Sequence, residues 1–145
     1  FKRRIDPHAG LHAIAMHHRI DDTQQVDLTI GVRAAALAMR SGAGTEDHVH
    51  TMASAITTAL LLCERGTGSE HTAAVIDAQF ALVRTIERGK RSGKWGFDGP
   101  ALAQVEDGIE VFEAQLASIT RIEARDAVRE VTRRVNQGHV FEVAA

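Results

Sequence analysis

Four of the chain's eight histidines, His8, His12, His17 and His18, fall within "DPHAGLHAIAMHHRIDD", residues 6–22. Imidazoles at this density can hold a divalent metal or move protons, provided they converge. The spacing works against convergence. His8 and His12 are four apart, which aligns two rings only on a helix, and Pro7 and Gly10 discourage a helix there. On an extended chain His12 and His18 share a face but stand about 20 Å apart at about 3.3 Å per residue, too far for one ion. His48 and His50 are two apart, so on a helix they diverge by about 200°. No HExxH or paired CxxC spacing occurs. The histidines therefore read as solvated or capping side chains, and no metal or other cofactor is expected. A site shared between subunits, or closed by His139, is the remaining metal reading.

Nucleophiles are scarcer still. Cys63 sits in "ALLLCER" among leucines, without the electropositive setting that lowers a thiol pKa, and a single cysteine makes no internal disulfide. A reducing, cytoplasmic setting is the expectation. No serine lies in a GxSxG turn. With no catalytic set, the chain reads as non-enzymatic.

The third candidate is "RGKRSGKWGF", residues 88–97. As a phosphate loop it fails: three residues rather than four separate Gly89 from Gly93, Trp95 replaces the magnesium-binding Ser or Thr, and a helix rather than a strand precedes it. What remains is a cationic patch of Arg84, Arg88, Lys90, Arg91 and Lys94 with Trp95 available to stack on a base, a candidate surface for nucleic acid or an acidic partner. The competing reading has Trp95 and Phe97 plugging the end of a helical bundle while the lysines stay solvated. Arg121, Arg125, Arg129 and Arg133 form a second cationic ridge, partly neutralised by Glu123, Asp126 and Glu130.

These residues need elements to position them. "LHAIAMH" alternates, so residues 1–20 read as an extended N-terminal segment with an edge strand. A first helix follows from Asp22 or Thr23 to Arg40, in which Val26, Ile30, Arg33, Leu37 and Arg40 keep a spacing near four and Leu28, Val32, Ala35 and Met39 broaden the apolar face. Thr45 caps a second helix to about Arg65, Ser69 a third ending near "RGKRSGKWG", and Asp98 a fourth, with Pro100 in its first turn. In the fourth, Leu102, Val105, Ile109, Phe112, Leu116 and Ile119 alternate steps of three and four. The phase slips beyond Ile119. One helix, straight or kinked, is expected to run to Gly138, with Thr120 and Glu123 as the alternative cap of a fifth. The tail, residues 139–145, alternates in "HVFEV" and could pair with the early segment as a β-ribbon.

The expected fold is thus a single mainly α domain over residues 1–145, an antiparallel bundle of four helices, or five if Thr120 caps one. A last helix of about 37 residues would be about 56 Å long, more than a domain this size needs. Its acids, Asp98, Glu106, Asp107, Glu110 and Glu113, precede its arginines. Either the helix dipole and local pairs account for that grading, or two such helices associate antiparallel across the Leu102–Ile119 stripe as a homodimer.

Composition agrees with helices and a globular chain. In 145 residues there are one Trp, five Phe and no Tyr, and 17 basic against 19 acidic side chains leave a net charge of −2, so no general nucleic-acid coat is implied. No apolar stretch of about 7–15 residues follows "FKRRIDPH", so no secretory signal is expected. "ALLLC" is too short to span a bilayer, so no membrane partner is expected.

"RRIDPHAGLHAI", the run "VDLTIGVRAAALAMRSGAGTEDHVHTMASAITTALLLCERGTGSEHTAAVIDAQFAL", "RGKRSGKW" and the last helix together resemble a group of uncharacterised small helical proteins encoded by proteobacterial phages, plasmids and integrated elements. The likeness spans nearly the whole chain and carries no known activity or functional residues. It implies only an accessory protein of a mobile element in the bacterial host cytoplasm. The over-long, charge-graded last helix and the lack of a catalytic set separately lead us to expect self-association and binding to another macromolecule, a host protein in the leading reading. Nucleic-acid binding through the basic loop is the alternative.

Overall fold

Helix starts follow local side-chain chemistry. The computed structural model describes residues 22–136, in which the chain forms α1 (Asp22–Arg40), α2 (Glu46–Glu64), a 3-10 turn (Ser69–His71), α3 (Thr72–Ser92), α4 (Gly99–Leu116) and α5 (Arg121–Asn136). The expected edge strand and β-ribbon lie outside these residues. At α2 the Thr45 hydroxyl accepts the His48 N–H while His48 Nδ1 accepts the Thr45 N–H, a reciprocal cap with histidine where Glu or Gln is usual. Asp98 accepts the Ala101 N–H at 2.8 Å, and Pro100 occupies the first turn of α4, where no N–H is missed.

Two expectations about boundaries change. Ser69 does not cap α3: its hydroxyl donates to the Cys63 carbonyl at 2.8 Å and closes the end of α2, so α3 proper begins at Thr72. The favoured continuous last helix is not formed. The Ser118 N–H and hydroxyl both return to the Gln115 carbonyl, ending α4, and Thr120 then accepts the Glu123 N–H and starts α5.

The packing is helical throughout the described residues, and α2 is its axis. Its run from Ala55 to Cys63 is buried throughout, with Val49, Met52 and Ala53 before it, and α2 packs against α1, α3, α4 and α5. A Cβ on Gly108 of α4 would lie 2.6 Å from Ala78 Cβ and 2.7 Å from Ile56 Cδ1, so only glycine lets α2, α3 and α4 approach this closely. Arg33 pairs with Glu113 and Arg40 with Glu106, seven residues on along α1 and seven back along α4, so those two helices run in opposite directions.

These pairs give two of the graded acids partners within the chain. Glu106 and Glu113 of α4 are met by arginines of α1 in the same chain, and Arg134 of α5 reaches Glu64 of α2 at 3.2 Å. The proposed oligomer stripe is likewise internal. Val105, Ile109, Phe112, Leu116 and Ile119 are buried in the core and Leu102 is half-buried, so within one chain the stripe packs internally, and only Phe112, Leu116 and Ile119 reach the groove described below. They are spent on the core because the break at Thr120 leaves α4 short enough to be covered by α1, α2 and α3.

In α1, Val32, Ala35, Ala36 and Met39 face inward, whereas Ile30 and Leu37 are 56% and 66% exposed. The spacing near four thus marks an outer stripe, and the core contact is made by Val32, Ala35 and Met39, the residues expected to broaden the apolar face, together with Ala36. No helix among the described residues is long and apolar enough to cross a membrane.

Candidate binding groove

Because the chain breaks at Thr120, α5 packs over α2 instead of prolonging α4. A half-open groove of about 380 Å³ results. Thr51, Ser54, Ala55 and Thr58 of α2 form one side, Phe112 and Leu116 of α4 with Ile119 the inner end, and Ala124, Val128, Val131 and Thr132 of α5 the other side; Val32 of α1 completes it. No charged side chain lines it.

Its hydroxyls are mostly withdrawn. Thr51 donates to the Asp47 carbonyl, Thr58 to Ser54 and Thr132 to Val128, each four residues back in its own helix at 2.8–2.9 Å. A threonine so engaged has no donor left for a ligand. Ser54 alone among the four makes no side-chain hydrogen bond within the described residues. Val128 is 55% exposed on the rim. The volume falls within the range of small-ligand pockets, and the apolar wall suits hydrocarbon rather than a charged substrate.

The basic end of the molecule divides in two. Trp95 is half-buried and packed over Gly89 of α3, where a Cβ would collide with the indole ring. Arg84 donates to Gln104 at 3.0 Å; Arg88 donates to the Gly96 carbonyl and lies 3.7 Å from Asp98. These three tie α3 to the start of α4. Trp95 therefore plugs the bundle end, with only part of its ring left for stacking. Lys90, Arg91 and Lys94 are exposed and make no side-chain hydrogen bond or ion pair among the described residues.

The second cationic ridge is also engaged in part. Glu130 takes hydrogen bonds from Arg133 and Arg134, and mainly the Arg133 bond holds its carboxyl down to about 2. Arg125 lies 3.6 Å from Asp126, and Arg129 is exposed.

Among the described histidines, His48 serves the α2 cap, His50 lies 3.4 Å from Glu46 and His71 3.5 Å from Glu70. No group of three His, Cys, Asp or Glu able to hold a metal occurs within the described residues. His8, His12, His17, His18 and His139 lie outside them.

One polar cluster was not anticipated. Gln115, 2% exposed, donates its amide to the carbonyls of Ala59 and Thr67 at 3.0 Å each and lies 3.3 Å from the Cys63 sulfur. Cys63 in turn donates to the Gly68 carbonyl, and burial pushes its thiol up. The cluster fastens the loop after α2 to α4. A glutamine inside an apolar period was the available signal. For the groove the signal was the phase slip after Ile119, which marks a second apolar face.

The chain matches no protein-family model, no curated protein and no solved structure in comparison with each.

Proposed function

We propose that this chain is a non-enzymatic helical binding module and that the groove between α2, α4 and α5 is its working surface. The partner is a protein that inserts two or three apolar side chains, as an amphipathic helix does. One observation carries this reading: a concave apolar surface, uncharged along its lining, with three of its four hydroxyls turned back to their own helices. A folded chain gains nothing by leaving such a surface wet. The finer architecture we assign is an antiparallel bundle of α1 to α4 with α5 laid over α2, supported by the Arg33–Glu113 and Arg40–Glu106 pairings.

Ala55→Trp tests the reading by filling the groove with an indole. Protein partners captured from cell extract by the parent chain are lost with Ala55→Trp and kept when Lys90, Arg91 and Lys94 are all alanine. Capture unaffected by Ala55→Trp in a folded variant contradicts it.

Two other readings each have an observation in their favour. Nucleic-acid binding rests on Lys90, Arg91 and Lys94, three exposed cations without a partner among the described residues. It requires affinity that falls steeply with salt and weakens in the triple alanine variant. Self-association rests on the outward Ile30 and Leu37. Light scattering at tens of micromolar tests it: a dimer that Ile30→Asp with Leu37→Asp makes monomeric is the expected result, and a strict monomer removes it.

A further inference from the structure

We propose that the helix seated in this groove is acidic along one flank, and that Arg121, Arg125 and Arg129 of α5 recognise that flank. The inference rests on reading the groove as a binding surface and adds the chemistry of the partner it takes.

Placement comes first. Val128 and Thr132 line the groove and are both exposed, so the groove opens on their side of α5. At about 100° per residue, Arg121 stands about 20° around the helix from Val128, Arg125 about 20° from Thr132 and Arg129 about 60° from Thr132. The acids of the same helix are elsewhere: Glu123, Asp126 and Glu130 all lie at least about 120° from Thr132. The neutralisation of this cationic ridge is therefore one-sided, with the acids turned from the groove.

Two of the arginines are open to a new carboxylate. Arg129 is exposed and makes no side-chain hydrogen bond or ion pair among the described residues. Arg125 lies 3.6 Å from the half-exposed Asp126 carboxylate, and its Nε is buried without an acceptor among the described residues. A surface pair at that distance contributes little, whereas a buried donor without an acceptor is costly. A carboxylate that draws the Arg125 guanidinium toward itself exchanges the weak contact for a charge-assisted fork.

Spacing identifies the occupant. Successive arginines are four residues apart, which sets them in a row with steps of about 6 Å, about 12 Å in all. Acids one turn apart on a second helix repeat at nearly the same interval, whereas the single head group of an anionic amphiphile has no such repeat. A nucleic acid has the repeating charge but no hydrocarbon anchors for the groove. Across the groove the exposed Asp47 stands one turn before Thr51 on α2. Like charges repel there, so the acids of the partner belong to the α5 flank alone.

A displayed library of helices of about five turns tests this, with a fixed apolar stripe and with the positions on both its flanks drawn from Glu, Gln and Lys. Helices selected on the parent chain are expected to carry Glu on one flank. They should bind Arg129→Glu, a change at an exposed position, about tenfold more weakly, as attraction at the rim becomes repulsion. Selection on Arg125→Glu with Arg129→Glu should return Lys on that flank instead. Selected helices indifferent to Glu or Lys, or bound equally by the parent and Arg129→Glu, overturn the proposal; the groove reading survives that result if Ala55→Trp releases them. Helices retained by folded Ala55→Trp, or a library from which nothing is recovered, remove the groove reading and the proposal with it. A dimer that Ala55→Trp makes monomeric also overturns the proposal, because the groove would then belong to a second copy of this chain.

Discussion

Thr120 accepts the backbone N–H of Glu123 at 3.2 Å and donates its hydroxyl to the Glu123 carboxylate at the same distance. This reciprocal cap is where one apolar stripe becomes two. Upstream, Val105, Ile109, Phe112, Leu116 and Ile119 are buried in the core; downstream, Ala124, Val128 and Val131 turn to face α2 and enclose the groove. Had the helix continued, α5 would project into solvent.

Thr120→Ala removes the side chain that satisfies an orphan N–H, which costs about 1 kcal/mol. Urea unfolding should record that loss. Hydrogen exchange should show faster opening at the amides of Ile122 and Glu123, with α2 unaffected. Unchanged protection in α5 would mean that packing alone holds the break.

Gly89→Ala probes the bundle end. The added methyl gains about 1 kcal/mol of helix propensity, but it evicts the Trp95 ring, whose burial is worth more, about 1.5–3 kcal/mol. The net expectation is a less stable protein whose emission, from its single tryptophan, moves to longer wavelength. A blue or unchanged emission would contradict the plug assigned to Trp95.

Gln115→Leu exchanges two carbonyl contacts for a hydrocarbon of similar size. The Ala59 and Thr67 carbonyls lose the side-chain amide, a loss of about 1–3 kcal/mol. The Cys63 thiol should react slowly with a thiol reagent in the parent and faster in the variant, because the loop that covers it is no longer fastened to α4. Equal rates would show that the loop is held without Gln115.

Acid should loosen α5 late. Glu130 is depressed in the folded chain to about 2, chiefly by its hydrogen bond from Arg133, against about 4.5 for a free carboxyl. A depressed carboxyl contributes stability that is present above the unfolded value and lost as pH falls through the folded one. The contribution is therefore full above about pH 5 and gone below about pH 2. Comparing the acid limb of helicity with Glu130→Gln, which cannot titrate, isolates it; identical acid limbs would exclude a role for this carboxylate.

Much of the helical architecture was legible because it is set locally. Thr45, Asp98 with Pro100, and the Thr120–Glu123 pair are caps whose chemistry is complete within four residues. What could not be read was which of two permissible apolar faces is spent internally. Leu102 to Ile119 have coiled-coil spacing, and spacing alone does not distinguish a core shared with α1, α2 and α3 from one shared with a second copy. The same holds in α1, where Ile30 and Leu37 carry the clearer period yet face outward. The basic loop was half-legible: charge is visible in sequence, but the contacts that occupy Arg84, Arg88 and Trp95 come from Gln104, Gly96, Asp98 and Gly89. The groove depends on four helices converging, and only the phase slip at Ile119 hinted at it.

The most direct measurement follows the methyl resonances of the full chain as a captured protein partner is titrated in. If the groove is the working surface, Val128, Val131 and Ala55 shift in proportion to binding while the amides of Lys90, Arg91 and Lys94 stay put. Shifts confined to Lys90, Arg91 and Lys94, with the groove methyls unmoved, would contradict the account.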